Sequence, residues 1–262
     1  MQSTTTLPFT LFLTATLAAT SSFSQVNYSG YEAGIYAGTL VYQGDLTPNW
    51  YGNTRSLKPA LGLYVSKALD PYFSLRLNFT HGNVAADESV YSSPVWRQYR
   101  NLKFSSRVNE LAASVVFNPY GEKNENNFRR LVPYVFAGAG LSFLKVKRDW
   151  SGFNTTYFDA KSIATTSLAT DTTHQLPRVI LAVPVGVGIK YILGQRLAIH
   201  AESSWRILSS DYLDGFSYQG EKPTRDAYYG MTVGLSFRFG KYKYACPTVN
   251  GKAGTRLLSS SK

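Results

Sequence analysis

Apolar and polar residues alternate along eight segments of the chain, at about residues 31–42, 59–69, 73–83, 106–118, 132–147, 178–192, 196–207 and 227–239. In the last segment, MTVGLSFRFG from Met231, every odd position is apolar and the even positions are polar or glycine. A period of two is typical of a β-strand with one apolar face. Most of the segments are longer than an ordinary strand, and their length suits a tilted strand that crosses a bilayer. The pattern therefore predicts an all-β chain of eight strands.

The connections between these segments are unequal in length. Asp70–Tyr72 and Leu193–Gln195 are tight turns, and residues 119–130 form a connection of medium length. The connections at about 43–58, 84–105, 148–177 and 208–226 are long and polar. Short turns on one side and long loops on the other are typical of outer-membrane barrels, with the short side in the periplasm. We therefore expect an eight-stranded antiparallel transmembrane β-barrel with both chain ends on the periplasmic side.

The alternation also predicts which residues face the inside of such a barrel. The phase is clear in most strands, whereas the fifth segment is apolar on both faces and its phase is not predicted. An eight-stranded barrel has room inside only for side chains, and buried charges there must pair. We expect interior ion pairs that plug the bore, with Glu32 facing Arg238, although a proton or ion path stays open as an alternative. The predicted interior residues are Glu32, Arg76, Glu110, Lys190, Glu202, Arg206 and Arg238.

Residues at both ends of the chain differ from the alternating region. Residues 1–24 include an apolar stretch followed by small residues, which predicts a cleaved signal peptide, a disordered tail being the alternative. Residues 25–240 then form the barrel, and residues 241–262 form a basic periplasmic tail. The tail carries five of the net +11 charges, and it could contact anionic headgroups, peptidoglycan or a partner protein. Nucleic acid is not an expected partner of an exported chain.

Catalytic and metal-binding patterns are missing from the sequence. Its three histidines, His81, His174 and His200, have no metal-ligand spacing, and the chain has no Gly-x-Ser-x-Gly elbow. The stretches GAGLSF and GVGIKY lack the third glycine of a nucleotide loop, so their glycines are interpreted as making room inside the barrel. We predict no catalytic, cofactor-binding or metal-binding residues. The one candidate pair for an enzyme at the loop side is His81 with Asp87.

The end of the eighth strand carries a further short pattern. Thr232, Gly234, Phe237 and Phe239 resemble the C-terminal signal by which outer-membrane barrels are recognised for insertion. An edge strand with free backbone groups can pair with the insertion machinery, and an aromatic ring suits the membrane interface. The pattern predicts that this barrel is a client of the barrel insertion machinery, with outer-membrane lipid around it.

Several stretches, in order along residues 31–240, resemble one family of small barrels. They are YEAGIYAGTLVYQGDLTP from Tyr31, RNLKFSSRVNELAASVVFNPY from Arg100, LVPYVFAGAGLSF from Leu131, LAVPVGVGIKY from Leu181 and ESSWRILSSDYLDGF from Glu202. The chain is similar to the DUF6089 family and, within it, to the small outer-membrane barrel of the type IX secretion system. Tyr42–Leu46 and Asp211–Asp214 are the most specific of the matching residues.

The resemblance implies a structural protein and not an enzyme. It implies a barrel that ties the periplasmic ring of the secretion machinery, built from a lipoprotein and its partner, to the outer membrane. The contact surface would then be the periplasmic side, with the 119–130 turn, the short turns and the basic tail. Two other functions stay open: a stand-alone surface barrel with a ligand-binding or envelope-integrity role through its long loops, and a loop-side lipid or protease enzyme.

Overall fold

Eight long strands make up most of the part of the chain that the structure describes. The computed structural model describes residues 30–47, 56–121, 130–194, 196–210, 213–216 and 226–239, so the predicted signal peptide and basic tail lie outside the described residues. The strands are β1 (Tyr31–Gln43), β2 (Lys58–Ala68), β3 (Phe73–Asp87), β4 (Lys103–Phe117), β5 (Leu131–Asp149), β6 (Val179–Ile192), β7 (Leu197–Leu208) and β8 (Ala227–Phe239).

The strands close into one antiparallel barrel. Each strand pairs with its sequence neighbours, and β1 pairs with β8 along its full length, from Tyr31 opposite Phe239 to Gln43 opposite Ala227. The prediction of an eight-stranded antiparallel transmembrane barrel is confirmed, and the predicted strands match the observed ones to within a few residues. The exceptions are β3 and β4, which continue four and three residues further toward the long loops than the alternation in the sequence shows.

The two faces of the barrel wall differ in polarity as the alternation predicts. Ile35, Leu61 and Val233 point outward and are 65%, 61% and 59% exposed, and the outward positions of most strands are likewise apolar. A soluble protein rarely exposes so much continuous apolar surface, whereas a bilayer covers it. The structure also fixes the phase of β5, in which Tyr134 faces the bore and Val135 faces outward.

Glycines on the inward face make room for aromatic rings on the neighbouring strand. Gly62 lies directly opposite Tyr36, and a β-carbon on Gly62 would approach the Tyr36 ring to 2.2 Å. Gly188, in the GVGIKY stretch, has the same relation to Tyr134, with an approach of 2.4 Å. Any larger residue at either glycine would push the ring out of the bore. The glycine pairs of the sequence are therefore packing positions of the barrel interior.

The described parts of the long loops fold over one end of the barrel and join its core. Among the residues that the structure describes, these loops contain a short 3₁₀ turn (Glu88–Val90) and two helices, α1 (Trp96–Arg100) and α2 (Ile163–Thr173). Within the described residues, none of the helices has the length and apolarity needed to cross a membrane. Loop residues are buried against the upper strands: Leu46, Leu102, Leu168, Leu213 and Phe216.

Candidate functional site

Glu32 holds together a group of charges at the short-turn end of the bore. Its carboxylate accepts hydrogen bonds from Lys190 Nζ at 2.7 and 2.8 Å, from Arg238 Nε at 3.2 Å and from the Tyr64 hydroxyl at 2.7 Å. Glu32 is also the direct cross-strand neighbour of Arg238. Lys190 reaches the same carboxylate from β6, on another part of the barrel wall. One acid thus serves two cations that reach it from two different strands.

A second group lies further along the bore. Arg76 Nη1 donates to Glu202 Oε1 at 2.5 Å, and the Tyr134 hydroxyl donates to the same oxygen at 2.6 Å. The Arg76 guanidinium also packs over the rings of Tyr64 and Phe136, at 5.1 and 4.6 Å from the ring centroids. Guanidinium groups stack well on aromatic faces, particularly when they are shielded from water. These contacts hold the Arg76 side chain across the middle of the bore.

The third group lies toward the long-loop end. Arg206 Nε donates to Glu110 Oε1 at 3.4 Å, and Tyr228 donates from its hydroxyl to Glu110 Oε2 at 2.6 Å. The Ser142 hydroxyl lies 3.4 Å from the same carboxylate, and Arg206 also contacts Ser204. Glu110 is almost completely buried, so its charge depends on these donors.

The structure thus brings all seven sequence-predicted interior residues into three ion-paired groups. Between the second and third groups remains a gap of about 10 Å³, which is about the space of one water molecule. The bore is therefore filled, and a solute has no open path through it. Sequence reasoning missed the tyrosines that complete each group, Tyr64, Tyr134 and Tyr228. The alternation of β8 was a signal for Tyr228, whereas the phase of β5, which carries Tyr134, was not predicted.

The short-turn end of the bore opens into a polar vestibule. This cavity of about 50 Å³ has room for a few waters or for one short side chain. Its floor is formed by charged and hydroxyl-bearing side chains of the bore, and its rim by the short turns. The polar lining consists of Glu32, Tyr64, Ser66, Tyr72, Ser74, Arg76, Asn118, Tyr134 and Lys190.

The long-loop end is closed by a buried contact between a tyrosine and two carboxyl groups. The Tyr42 hydroxyl lies 2.5 Å from Asp214 Oδ2 and 2.9 Å from Asp226 Oδ1. Asp226 Oδ2 also accepts a hydrogen bond from the backbone N–H of Leu213 at 2.9 Å. Burial, together with the neighbouring Asp226 carboxyl, raises the pKa of Asp214 well above its usual range. The Tyr42 hydroxyl can donate its one proton to only one of the two carboxylates at a time, so it does not by itself offset the repulsion between them.

The loop cap, the buried contact at the long-loop end, joins Tyr42 to Asp214, one residue from each of the two most specific stretches of the sequence resemblance, Tyr42–Leu46 and Asp211–Asp214. Comparison with family models matches residues 9–240 to the domain of unknown function DUF6089. The chain belongs to the DUF6089 family. Comparison with curated proteins finds no match for this DUF6089 chain.

Solved structures with a similar fold are outer-membrane proteins. The attachment invasion locus protein Ail of Yersinia pestis is 12% identical, with 80% of this chain and 99% of that chain covered and a TM-score of 0.43. The outer membrane protein OprG of Pseudomonas aeruginosa is 9% identical, with 82% and 98% covered and a TM-score of 0.44. The outer membrane enzyme PagL is 11% identical, with 78% and 97% covered and a TM-score of 0.35. At these identities and scores the likenesses carry no argument about function.

The candidate enzyme pair is not assembled in the DUF6089 barrel. His81 Nδ1 lies 2.7 Å from Asn109 Oδ1, whereas Asp87 contacts Ser89 and Lys103. His81 and Asp87 are six residues apart on β3, which is about 20 Å along an extended strand. Within the described ranges, no three His, Cys, Asp or Glu side chains come together as a metal site requires.

The four residues of the predicted insertion signal occupy both faces of β8 in the DUF6089 barrel. Thr232 is buried on the inward face, and Gly234 packs there against the His200 ring. Phe237 and Phe239 point outward, with their ring centroids 4.9 Å apart. The outward pair lies at the short-turn end, where β8 meets the start of β1.

Proposed function

We propose that this DUF6089 barrel is a non-enzymatic structural component of the outer membrane that ties the periplasmic ring of the type IX secretion machinery to that membrane. The observation that carries the proposal is the difference between the two ends of the barrel. The bore is filled and the long-loop end is capped, whereas the short-turn end opens into a polar vestibule. A barrel that has no open channel for solutes must act through its surfaces. The open short-turn end is the surface that a periplasmic partner would meet.

The charge of the vestibule suits contact with a protein. Arg76 and Lys190 line the vestibule together with Glu32, and charged groups of both signs give a protein contact its specificity. Tyr72 stands exposed on the adjacent short turn. Exposed tyrosines are common in protein interfaces because they bury a large rigid ring and retain a hydroxyl for hydrogen bonding. The sequence resemblance to the secretion-system barrel supplies the identity of the proposed partner, a lipoprotein ring.

The proposal includes a route to the membrane. Residues 1–24 would be removed on export, residues 25–240 would be inserted by the barrel insertion machinery, and residues 241–262 would remain in the periplasm as a basic tail. Insertion would use the edge of β8, where the two outward phenylalanines lie at the end of the strand that closes the barrel.

The decisive experiment combines a deletion with site-specific cross-linking. Deleting the gene should impair secretion of several type IX cargo proteins at once. A photo-reactive amino acid in place of Tyr72 should capture a periplasmic lipoprotein, because Tyr72 lies exposed on the rim of the vestibule. The matched control replaces Val95, which is also exposed but lies in a long loop.

The outcomes separate the candidate roles. Normal secretion in the deletion strain would refute the role in type IX secretion. If the photo-reactive residue captures the ring lipoprotein when it replaces Val95 but not when it replaces Tyr72, the contact lies on the long-loop side and contradicts the proposal. Capture from Tyr72 together with a multi-cargo secretion defect is the expected result.

A second candidate is a surface barrel that acts through its long loops. It is favoured by an exposed aromatic group in which the rings of Tyr99 and Tyr157 stack with centroids 4.1 Å apart and an interplanar angle of 9°. A double change, Tyr99→Ala with Tyr157→Ala, removes this group while leaving the buried loop residues in place. Under this candidate function, the double variant should lose ligand binding or envelope integrity while secretion stays normal. Under the first function it should behave like the parent protein.

A further inference from the structure

Three basic side chains form a patch on the outer wall of the barrel, on the half nearer the long loops. Arg107 on β4 and Lys145 and Lys147 on β5 all face outward and are exposed. Arg107 lies directly opposite Lys145 in the β4–β5 register, and Ser105 lies opposite Lys147. Like charges at directly opposed positions destabilise a sheet, because their β-carbons are only about 5 Å apart. The arrangement is therefore unfavourable unless an anion lies between the two side chains. We call Arg107, Lys145 and Lys147 the basic patch.

The acids nearest to the basic patch are already engaged by other groups. Asp87 forms an ion pair with Lys103 at 3.1 Å and accepts hydrogen bonds from Ser89. Asp149 accepts hydrogen bonds from the backbone N–H and the hydroxyl of Ser151. Within the described part of the chain, no residue of the basic patch forms an ion pair. Its charge is thus available to a ligand from outside the protein.

The basic patch lies just above the apolar band of the barrel wall. On β5 the outward positions Leu141 and Phe143 are apolar, and Lys145 and Lys147 follow immediately. The twelve residue steps from Leu131 to Phe143 correspond to about 30 Å along the membrane normal, at about 3.3 Å per residue and a tilt of about 40°. That distance is close to the thickness of a bilayer's hydrocarbon core. The basic patch therefore lies at the depth of lipid headgroups.

The basic patch occupies one sector of the wall and is not part of a ring. On the same half of the other described strands, the outward positions carry no lysine or arginine. The outward residues there are Thr39, Val41 and Gln43 on β1, Pro59 on β2, His81, Asn83, Ala85 and Asp87 on β3, Val179 and Leu181 on β6, Trp205 and Ile207 on β7, and Ala227 and Tyr229 on β8. Basic residues that served only a general attraction to an anionic surface could lie anywhere around the barrel. Their confinement to one sector is what a binding site for a single lipid requires.

We propose that the basic patch binds a phosphate-bearing lipid in the leaflet next to the long loops. The phosphate would lie between Arg107 and Lys145, since a guanidinium offers paired donors that match phosphate oxygens and an ammonium adds a point charge. Lys147 and the Ser105 hydroxyl would contact the rest of the headgroup. The acyl chains would lie along Leu111, Leu141 and Phe143 on the apolar wall below. The inference is independent of the secretion role and requires only that the long-loop end faces the outer leaflet.

The test measures lipid retention by the whole protein purified in a zwitterionic detergent. Diphosphorylated lipid A is the probe, and native mass spectrometry gives the bound fraction during a titration. The variant Arg107→Gln/Lys145→Gln should bind the probe about 30-fold more weakly, at about 1 kcal/mol for each basic residue near an anionic headgroup. The control variant Lys67→Gln/Lys161→Gln removes the same charge from two exposed lysines outside the patch, and it should bind like the parent protein.

Each outcome either supports or overturns the proposal. If the two double variants lose equal affinity for the lipid, the loss reflects net charge alone and the proposal is wrong. Equal binding of dephosphorylated lipid would show that phosphate is not recognised, and displacement of the lipid by millimolar inorganic phosphate would make the patch a phosphate site and not a lipid site. The single variant Lys147→Gln, with an expected loss of about fivefold, provides a second measurement if the double variant folds poorly. Folding is checked independently by the electrophoretic shift of the unheated barrel.

Discussion

Changing Glu32 to glutamine should destabilise the barrel far more than removing either of the cations it binds. Glu32 is 8% exposed and accepts hydrogen bonds from Lys190, Arg238 and Tyr64. In Glu32→Gln both cations remain in the bore and lose the carboxylate that they share. Removal of one partner from a buried ion pair typically costs about 3–5 kcal/mol, because the remaining charge stays desolvated. Lys190→Met leaves the contact between Glu32 and Arg238 intact, so we expect it to cost only about 1–2 kcal/mol.

Urea unfolding of the protein in detergent provides the measurement. Tryptophan fluorescence and the electrophoretic shift of unheated samples report the folded fraction. With a urea dependence of about 2 kcal/mol/M, the expected loss in Glu32→Gln lowers the unfolding midpoint by about 1.5–2.5 M. Lys103→Gln is the control, because its ion pair with Asp87 is more than one-third exposed on both side chains and should contribute at most about 1 kcal/mol. If Glu32→Gln costs no more than Lys190→Met, the reasoning about one acid shared by two cations is wrong.

Three other predictions concern packing, pH and insertion. Gly138→Ala should lower stability by about 1–3 kcal/mol in the same urea assay, since its β-carbon would lie 2.1 Å from a backbone oxygen of the neighbouring strand, whereas Gly194→Ala, with nothing within 4 Å, should be neutral. Burial beside Asp226 raises the folded pKa of Asp214, so the loop cap should be most stable below about pH 4 and should lose that stability as pH rises through the folded pKa. The rate of loop proteolysis between pH 4 and 9 measures this change. If the rate depends on pH in Asp214→Asn as it does in the parent protein, the prediction is wrong. Phe239→Ala should slow insertion by purified insertion machinery without changing spontaneous folding into detergent, and equal effects on both would argue against a recognition signal.

The strands and their inward faces could be predicted because both depend on local alternation. An inward residue stays inward whatever its partners are, so Glu110 and Arg206 could be assigned to the bore from their own strands alone. β5 was the exception, since rings such as Phe136 inside the barrel are as apolar as Val135 outside it. The residues of β5 alone do not indicate which of its faces is inward. That choice depends on the glycines of β6, which pairs with β5.

The partners of the interior charges were less accessible to sequence reasoning. The contact between Glu32 and Arg238 follows from closure, because the first and last strands must pair. The contact between Glu32 and Lys190 joins β1 to β6, which are not neighbours in the sheet, and it depends on the tilt and stagger of the whole barrel. The loop cap was unpredictable for a related reason, since Tyr42 and Asp214 are 172 residues apart and meet only after the long loops pack.

The distribution of charge in the bore links the stability of the barrel to its proposed contact with a partner. Each of the three bore carboxylates, Glu32, Glu202 and Glu110, contacts a tyrosine hydroxyl and at least one cation. The Glu32 group forms part of the cavity at the short-turn end of the bore, where Lys190 also lines the wall. An acidic side chain that enters the vestibule would approach Lys190 without breaking its pair with Glu32. Binding a periplasmic partner there should therefore stabilise the barrel, whereas a partner bound at the long loops would leave the Glu32 group unchanged.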